Sequence, residues 1–182
     1  MILAFAMALQ PPAFGQGGPR GNQNCCLPSP AQPATAEEGK WLAFMREEEK
    51  LARDVYRELN AKWNLRIFSN IAASEERHFE SVKVLLDRYG VQDPAANTAP
   101  GVFADQRLAA LYTQLIAKGL TSLKDALEAG VQIEKTDIED LENALKATVK
   151  TDIKTVYTNL LNGSLNHQEA FEANLEIVAA NR

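Results

Sequence analysis

The sequence predicts an all-α protein: a bundle of four long helices in which one long crossover connection carries a short extra helix. Three observations carry this. From Glu37 to Arg182 apolar residues recur at steps of three and four, and the period-two alternation of half-buried strands is absent. Helix-stopping residues cut that stretch into helix-sized pieces: Asn64, then Gly90 with the Asp93-Pro94 turn, then Gly119. Roughly 30 residues separate the second long segment from the third, enough chain to run the length of a bundle, whereas the other connections between long segments are short.

The first helix is expected over residues 37–63, with Thr35 as N-cap and Glu37 and Glu38 near its positive end. A second runs from about Ile67 to Tyr89, and residues 91–104, with Asn97, Pro100 and Gly101, form a loop. A short helix covers about Asp105 to Lys118. Thr121 or Ser122 caps the next, which reaches about Thr148 with Gly130 inside it, and the last spans about Thr151 to Ala179. The tight links make helices one and two antiparallel neighbours, and likewise the last two.

Composition narrows the function classes. The 182 residues are 46% hydrophobic, with Lys+Arg 19 against Asp+Glu 24 and a net charge of −5, so the chain lacks the basic surface that nucleic acid or an anionic membrane requires. No apolar run reaches the roughly 18 residues of a membrane span. Residues 1–36 carry one charge, Arg20, and six of the eight prolines. Their opening apolar stretch, followed by Ala13-Phe14-Gly15, reads as a signal peptide over 1–15, although the basic start is missing; a disordered arm is the alternative. Residues 16–36 read as a Pro/Gly-rich linker, leaving 37–182 as the folded domain. The chain is therefore expected in the periplasm or outside the cell if that segment is a signal, and otherwise in the cytoplasm. Cys25 and Cys26 are adjacent in the linker, where they suit links to another chain if exported and free thiols if not.

The chemistry lies where polar residues occupy core positions. On the first helix the inward seam reads Leu42, Met45, Glu49, Ala52, Tyr56, Leu59, Trp63, and a neighbouring seam places Glu48 among Trp41, Phe44, Leu51 and Val55. Glu48 or Glu49, or both, therefore point inward; Glu47, grouped with Lys40, Lys50 and Asp54, is expected to face water. The second seam, Phe68, Ile71, Glu75, His78, Val82, Leu85, Tyr89, holds two polar positions in a row. Residues three apart share a helix face, so Glu75 and His78 can reach one metal ion. The third seam carries Glu134 between Val131 and Ile138, with Asp137 one turn along on the adjacent line, and the fourth carries His167 between Ser164 and Phe171. Glu80 is expected on the outside.

These interruptions fall at one height. Glu49 precedes the first bend by about 14 residues and Glu75 and His78 follow it by about 11–14, which is roughly 17–21 Å along each helix. Glu134 and His167 stand about 16 and 17 residues from the second bend. Isolated carboxylates at mid-bundle cost several kcal/mol each or take up a proton, and a shared cation removes that penalty. Carboxylates with imidazoles and no thiolates suit iron or manganese and are compatible with zinc, and the excess of carboxylates suits two bridged ions.

Several segments resemble the ferritin-like superfamily, which includes ferritins, bacterioferritins and rubrerythrins. They are Glu47-Glu48-Glu49-Lys50-Leu51-Ala52-Arg53-Asp54-Val55-Tyr56, Ser74-Glu75-Glu76-Arg77-His78-Phe79, Ile133-Glu134 through Asp137-Ile138, and Gly163-Ser164 through Asn166-His167. More closely, over about residues 37–178, they resemble a prokaryotic ferritin-like family known as a domain of unknown function. The resemblance implies a ferritin-like bundle and a di-metal centre holding two iron ions. It also exposes a departure: a second Glu-x-x-His is usual on the last helix, and here Ser164 stands in place of the Glu. Asp137 is the replacement the resemblance suggests, which makes the expected ligand set Glu49, Glu75, His78, Glu134, Asp137 and His167. Tyr56, two turns from Glu49, is the candidate for supporting a ligand or donating a proton, with an ordinary core tyrosine as the alternative. The expected activity is oxidation of ferrous iron or reaction with oxygen or peroxide. Non-enzymatic binding or storage of iron or manganese is the second reading, a metal-free structural bundle the third, and the chain is compatible with a homodimer.

Overall fold

The structure, a computed structural model, describes residues 32–180 and consists of five helices with no strand among the described residues: α1 (Ala36–Trp63), α2 (Arg66–Tyr89), α3 (Gln106–Gly119), α4 (Leu123–Lys146) and α5 (Thr151–Ala180). The expected signal peptide, the linker up to residue 31 and the Cys25-Cys26 pair lie outside these residues. No described helix is long and apolar enough to cross a membrane.

Local chemistry fixes the boundaries. Thr35 caps α1 through a reciprocal capping box, its side chain accepting from the Glu38 amide at 3.1 Å while Glu38 accepts from the Thr35 amide at 2.8 Å. Such a cap contributes about 1 kcal/mol. Asn64 ends the helix in the left-handed region, φ 48°, and Gly90 ends α2 the same way, φ 64°, where the absence of a Cβ removes the steric cost. Asp105 lies just outside α3 as its N-cap, accepting from the Arg107 amide, and Ser122 caps α4. α4 stops at Lys146, two residues before the expected end; beyond it the Thr148 hydroxyl donates to Glu38 at 2.6 Å and accepts from the Lys150 amide at 3.1 Å.

Two antiparallel hairpins, α1–α2 and α4–α5, make the largest interfaces, and α1 faces α4 while α2 faces α5. The four long helices therefore meet in the cyclic order α1, α2, α5, α4. Residues 90–122 run from the Gly90 end to the opposite end, where Trp63 donates its indole N–H to the Gly119 carbonyl at 2.8 Å. On the way, α3 packs against α1 and α4.

That crossover corrects one expectation. Glu47, Lys50 and Asp54 do not face water: all are buried beneath it. Glu47 accepts from the amides of Ala104 and Asp105 at 2.5 and 2.9 Å. Lys50 donates to Asp54 at 2.7 Å and to the Ala99 carbonyl at 2.8 Å, and Asp54 accepts from the Gly101 amide at 3.0 Å. These side chains satisfy the polar backbone of a loop that has no ladder partner of its own. Glu80 is exposed as expected, with Arg46 within 3.4 Å.

The apolar interior falls into two clusters. One, at the Trp63 end, includes Leu51, Val55, Leu59, Phe68, Leu127, Ile133 and Phe171. The other, at the Gly90 end, includes Leu42, Met45, Val82, Leu86, Leu141 and Tyr157. What separates them is polar.

Candidate metal centre

Each long helix contributes two residues to the layer between the clusters: Glu48 and Glu49 from α1, Glu75 and His78 from α2, Glu134 and Asp137 from α4, Ser164 and His167 from α5. The carboxylates are no more than 5% exposed, and Ser164 is fully buried. The two imidazoles are slightly more open, at 12–13%. Asp137 lies inside because the buried face of α4 follows Gly130, Ile133, Asp137 and Ala144, and half-buries Val131, Ile138 and Leu145.

The ligand-type atoms gather into two trios, Glu49–Glu75–His78 and Glu75–Glu134–His167, and within each trio they lie within 4.8 Å of one another. Glu75 belongs to both. His78 Nδ1 stands 2.9 Å from Glu75 Oε2 and 3.4 Å from Glu49 Oε2, while His167 Nδ1 stands 2.7 Å from Glu75 Oε1 and 3.5 Å from Glu134 Oε2. The two rings stack with centroids 5.6 Å apart. Gly163 makes room for this, since a Cβ there would come within 2.6 Å of the His78 ring.

Of the expected ligands, the structure leaves Asp137 outside both trios. Its Oδ2 accepts from the Ser164 hydroxyl at 2.5 Å, and that hydroxyl also reaches the Leu160 carbonyl. Ser164 thus faces Asp137 across the interior from α5. Tyr56 donates to Glu134 Oε1 at 2.6 Å and rests on Phe171 and Phe68, so it touches the layer from the apolar side. Sequence periodicity did not anticipate the Ser164–Asp137 bond or the space at Gly163, because both depend on what α5 faces across the interior.

The layer concentrates buried polar atoms that the protein leaves without partners. Glu49 Oε1, Glu75 Oε1, Asp137 Oδ1, His78 Nδ1, His167 Nδ1 and Glu48 Oε2 are buried without a hydrogen-bond partner, the short imidazole–carboxylate contacts being misaligned for one. Desolvation, reinforced by neighbouring carboxylates, pushes Glu48 and Glu49 well above the usual carboxylate range. The same causes raise Glu134 to about 7 and Asp137 to about 8. For Glu75 burial acts upward, but the two flanking imidazoles outweigh it and hold the group down at about 2. Burial acts downward on His167, and the facing carboxylates overcome it, raising that ring to about 9. Burial and the Glu134 charge push the Tyr56 phenol up, so it stays a donor.

Fold and site together define an all-α protein with a buried, carboxylate-rich layer supplied by four helices. The chain belongs to the family described as an uncharacterized protein domain, DUF2202, whose match covers residues 38–181. It is 51% identical over 142 residues to the uncharacterized protein MJ0754 of Methanocaldococcus jannaschii, across 78% of this chain and 77% of that protein. The crystal structure of hypothetical protein MJ0754 superposes with a TM-score of 0.80 at 49% identity, covering 82% of this chain and 86% of that one.

Proposed function

We propose that the chain is a ferritin-like bundle whose polar layer holds two metal ions, iron foremost, and that it works as a ferroxidase or as an oxidase reacting with oxygen or peroxide. One observation carries the reading: Glu75 belongs to two separate ligand trios, one completed by Glu49 and His78 and the other by Glu134 and His167. A carboxylate with two oxygens can bridge two ions, and the unpartnered buried oxygens and ring nitrogens are the donor set that iron or manganese takes. Zinc fits the same donors. Asp137 lies beside the second trio as a further carboxylate, oriented by Ser164.

Bound iron would supply the electrons and the open positions at which the oxidant reacts. The chain does the rest. Apolar clusters on both sides of the layer limit water, which strengthens every charge interaction within it. The partly open imidazoles on α2 and α5 are the side from which a small oxidant, as distinct from a hydrated cation, would reach the layer. Tyr56 keeps a proton against Glu134 Oε1, fixing that carboxylate with its other oxygen toward His167.

The test is to load the metal-free protein anaerobically with ferrous iron, remove unbound metal, count ions per chain, and then add hydrogen peroxide or air. About two ions per chain and oxidation faster than in buffer are expected. Fewer than one ion per chain rejects the centre; full loading with no oxidation above buffer leaves a binding protein and rejects the activity.

A further inference from the structure

Glu48, like Asp137, is an acid of the layer that neither trio uses. It is 3% exposed, its Oε2 has no partner, and Asp137, Asp140 and Glu49 stand near enough for their charges to act on it. Asp140, half-buried on α4, lines a cleft of about 920 Å³ between the N-terminal half of α1, the C-terminal half of α4 and the start of α3. Trp41, Phe44 and Ala104 form much of its wall. Arg107 lies on the same cleft, over the Phe44 ring, tied to Asp105 at 2.7 Å and close enough to Asp140 and Glu48 for their charges to act on it. Burial thus deepens from the open cleft through half-buried Asp140 to Glu48, the sequence neighbour of Glu49 in the centre.

Resting on the metal-binding reading above, we propose that this cleft is the port through which divalent cations reach the centre, with Asp140 as the outer binding group and Glu48 as the buried carboxylate that passes each cation to Glu49 and Asp137. A cation crossing an apolar interior must exchange water for oxygen ligands in stages, since a bare charge between them costs several kcal/mol or more. Asp140 and Glu48 provide those stages, and the unpartnered Glu48 oxygen is free to take part. The second cleft, about 450 Å³, is unsuited to the task. Arg46, Lys50, Arg53 and Lys83 line it against only Glu80 and Asp93, and its field repels cations. Arg107 gives the port a charge whose removal should act in the opposite direction to loss of the acids.

The experiment mixes chelator-treated full-length protein with cobalt(II) chloride and follows the visible absorption of the bound ion by stopped flow, with endpoint stoichiometry by metal analysis. Glu48→Gln and Asp140→Asn should each load about tenfold more slowly and reach the wild-type endpoint. Arg107→Gln should load a few-fold faster at low ionic strength, with the difference shrinking as salt screens the mouth. Wild-type rates in both acid variants overturn the port. A missing ion at the Glu48→Gln endpoint also overturns it, because Glu48 is then a ligand of the centre. Asp140→Asn, at a half-buried position, keeps the test open if Glu48→Gln misfolds. Wild-type protein that takes up no cobalt removes centre and port together, whereas normal uptake at unaltered rates in the acid variants removes the port alone.

Discussion

Glu75 of α2 lies 2.7 Å from His167 of α5, and this contact ties the first hairpin to the second at the level of the polar layer. The same carboxylate stands 2.9 Å from His78 on its own helix, so one side chain faces ligand-type groups of both hairpins. The two ligand groups consequently have unequal vulnerabilities. Glu75→Gln should lower the affinity of both metal positions, whereas His167→Ala should weaken one and leave Glu49, Glu75 and His78 to hold the other. Isothermal titration with cobalt(II) separates the two patterns, with Glu80→Ala, on the outer face of α2, as the unchanged control.

Metal should stabilise the fold in proportion to its binding. A ligand bound only by the native state at 100 times its Kd contributes about 2.7 kcal/mol, so wild-type protein should melt several degrees higher with metal than with chelator. In His167→Ala that difference should shrink while the chelator-treated melting temperature changes less. Equal melting with and without chelator in the wild type would mean that the buried groups merely pair with one another.

Tyr56→Phe removes the phenol that donates to Glu134 at 2.6 Å and leaves the packing on Phe171 intact. The buried Glu134 oxygen then lacks its donor, which should cost about 1–3 kcal/mol in the metal-free protein, read from urea unfolding. A tyrosine that served packing alone would give a change within the error of the measurement.

Gly163→Ala sets helix propensity against site geometry. Alanine favours a helix interior by about 1 kcal/mol over glycine. Here, however, its Cβ would come within 2.6 Å of the His78 ring and push that imidazole from its place. Metal affinity should fall at the Glu49–Glu75–His78 trio. Gly39→Ala, whose Cβ meets Val91 at 3.7 Å, should leave affinity unchanged.

The metal-free and metal-loaded proteins should respond to pH in opposite directions. Glu134 at about 7 and Asp137 at about 8 hold protons in the fold at pH values where the unfolded chain has released them, and His167, raised to about 9, does likewise. The native state therefore binds more protons above pH 4, and its stability falls as pH rises through 7 to 9. Glu75, held at about 2, contributes above its unfolded value and loses that contribution only as pH falls from 4.5 towards 2. Chelator-treated protein should thus be most stable near pH 5 and lose on the order of a few kcal/mol by pH 9. Metal affinity should rise over the same range, because the cation competes with those protons. Thermal melts at pH 5, 7 and 9, with chelator and with metal, measure both trends.

The sequence determined the five helices, their caps and stops, and most of the residues that turn inward, because these depend on contacts a few residues apart. The seams through Glu49, Glu75, His78 and His167 follow from a 3.6-residue period, and a Glu or His at such a position stands out whatever the helix faces. Tertiary structure decided what that period leaves undetermined. Glu47, Lys50 and Asp54 are buried because a crossover some 50 residues away lies over them, and local charge patterning cannot register a distant loop. Glu48 and Glu49 are both buried, yet only Glu49 joins a ligand trio while Glu48 lies within reach of the Asp140 charge. The sharing of Glu75 between two trios, and the bond between Ser164 and Asp137, exist only where four helix faces meet at one height. Periodicity selects the face of one helix; the relation between faces is fixed by packing.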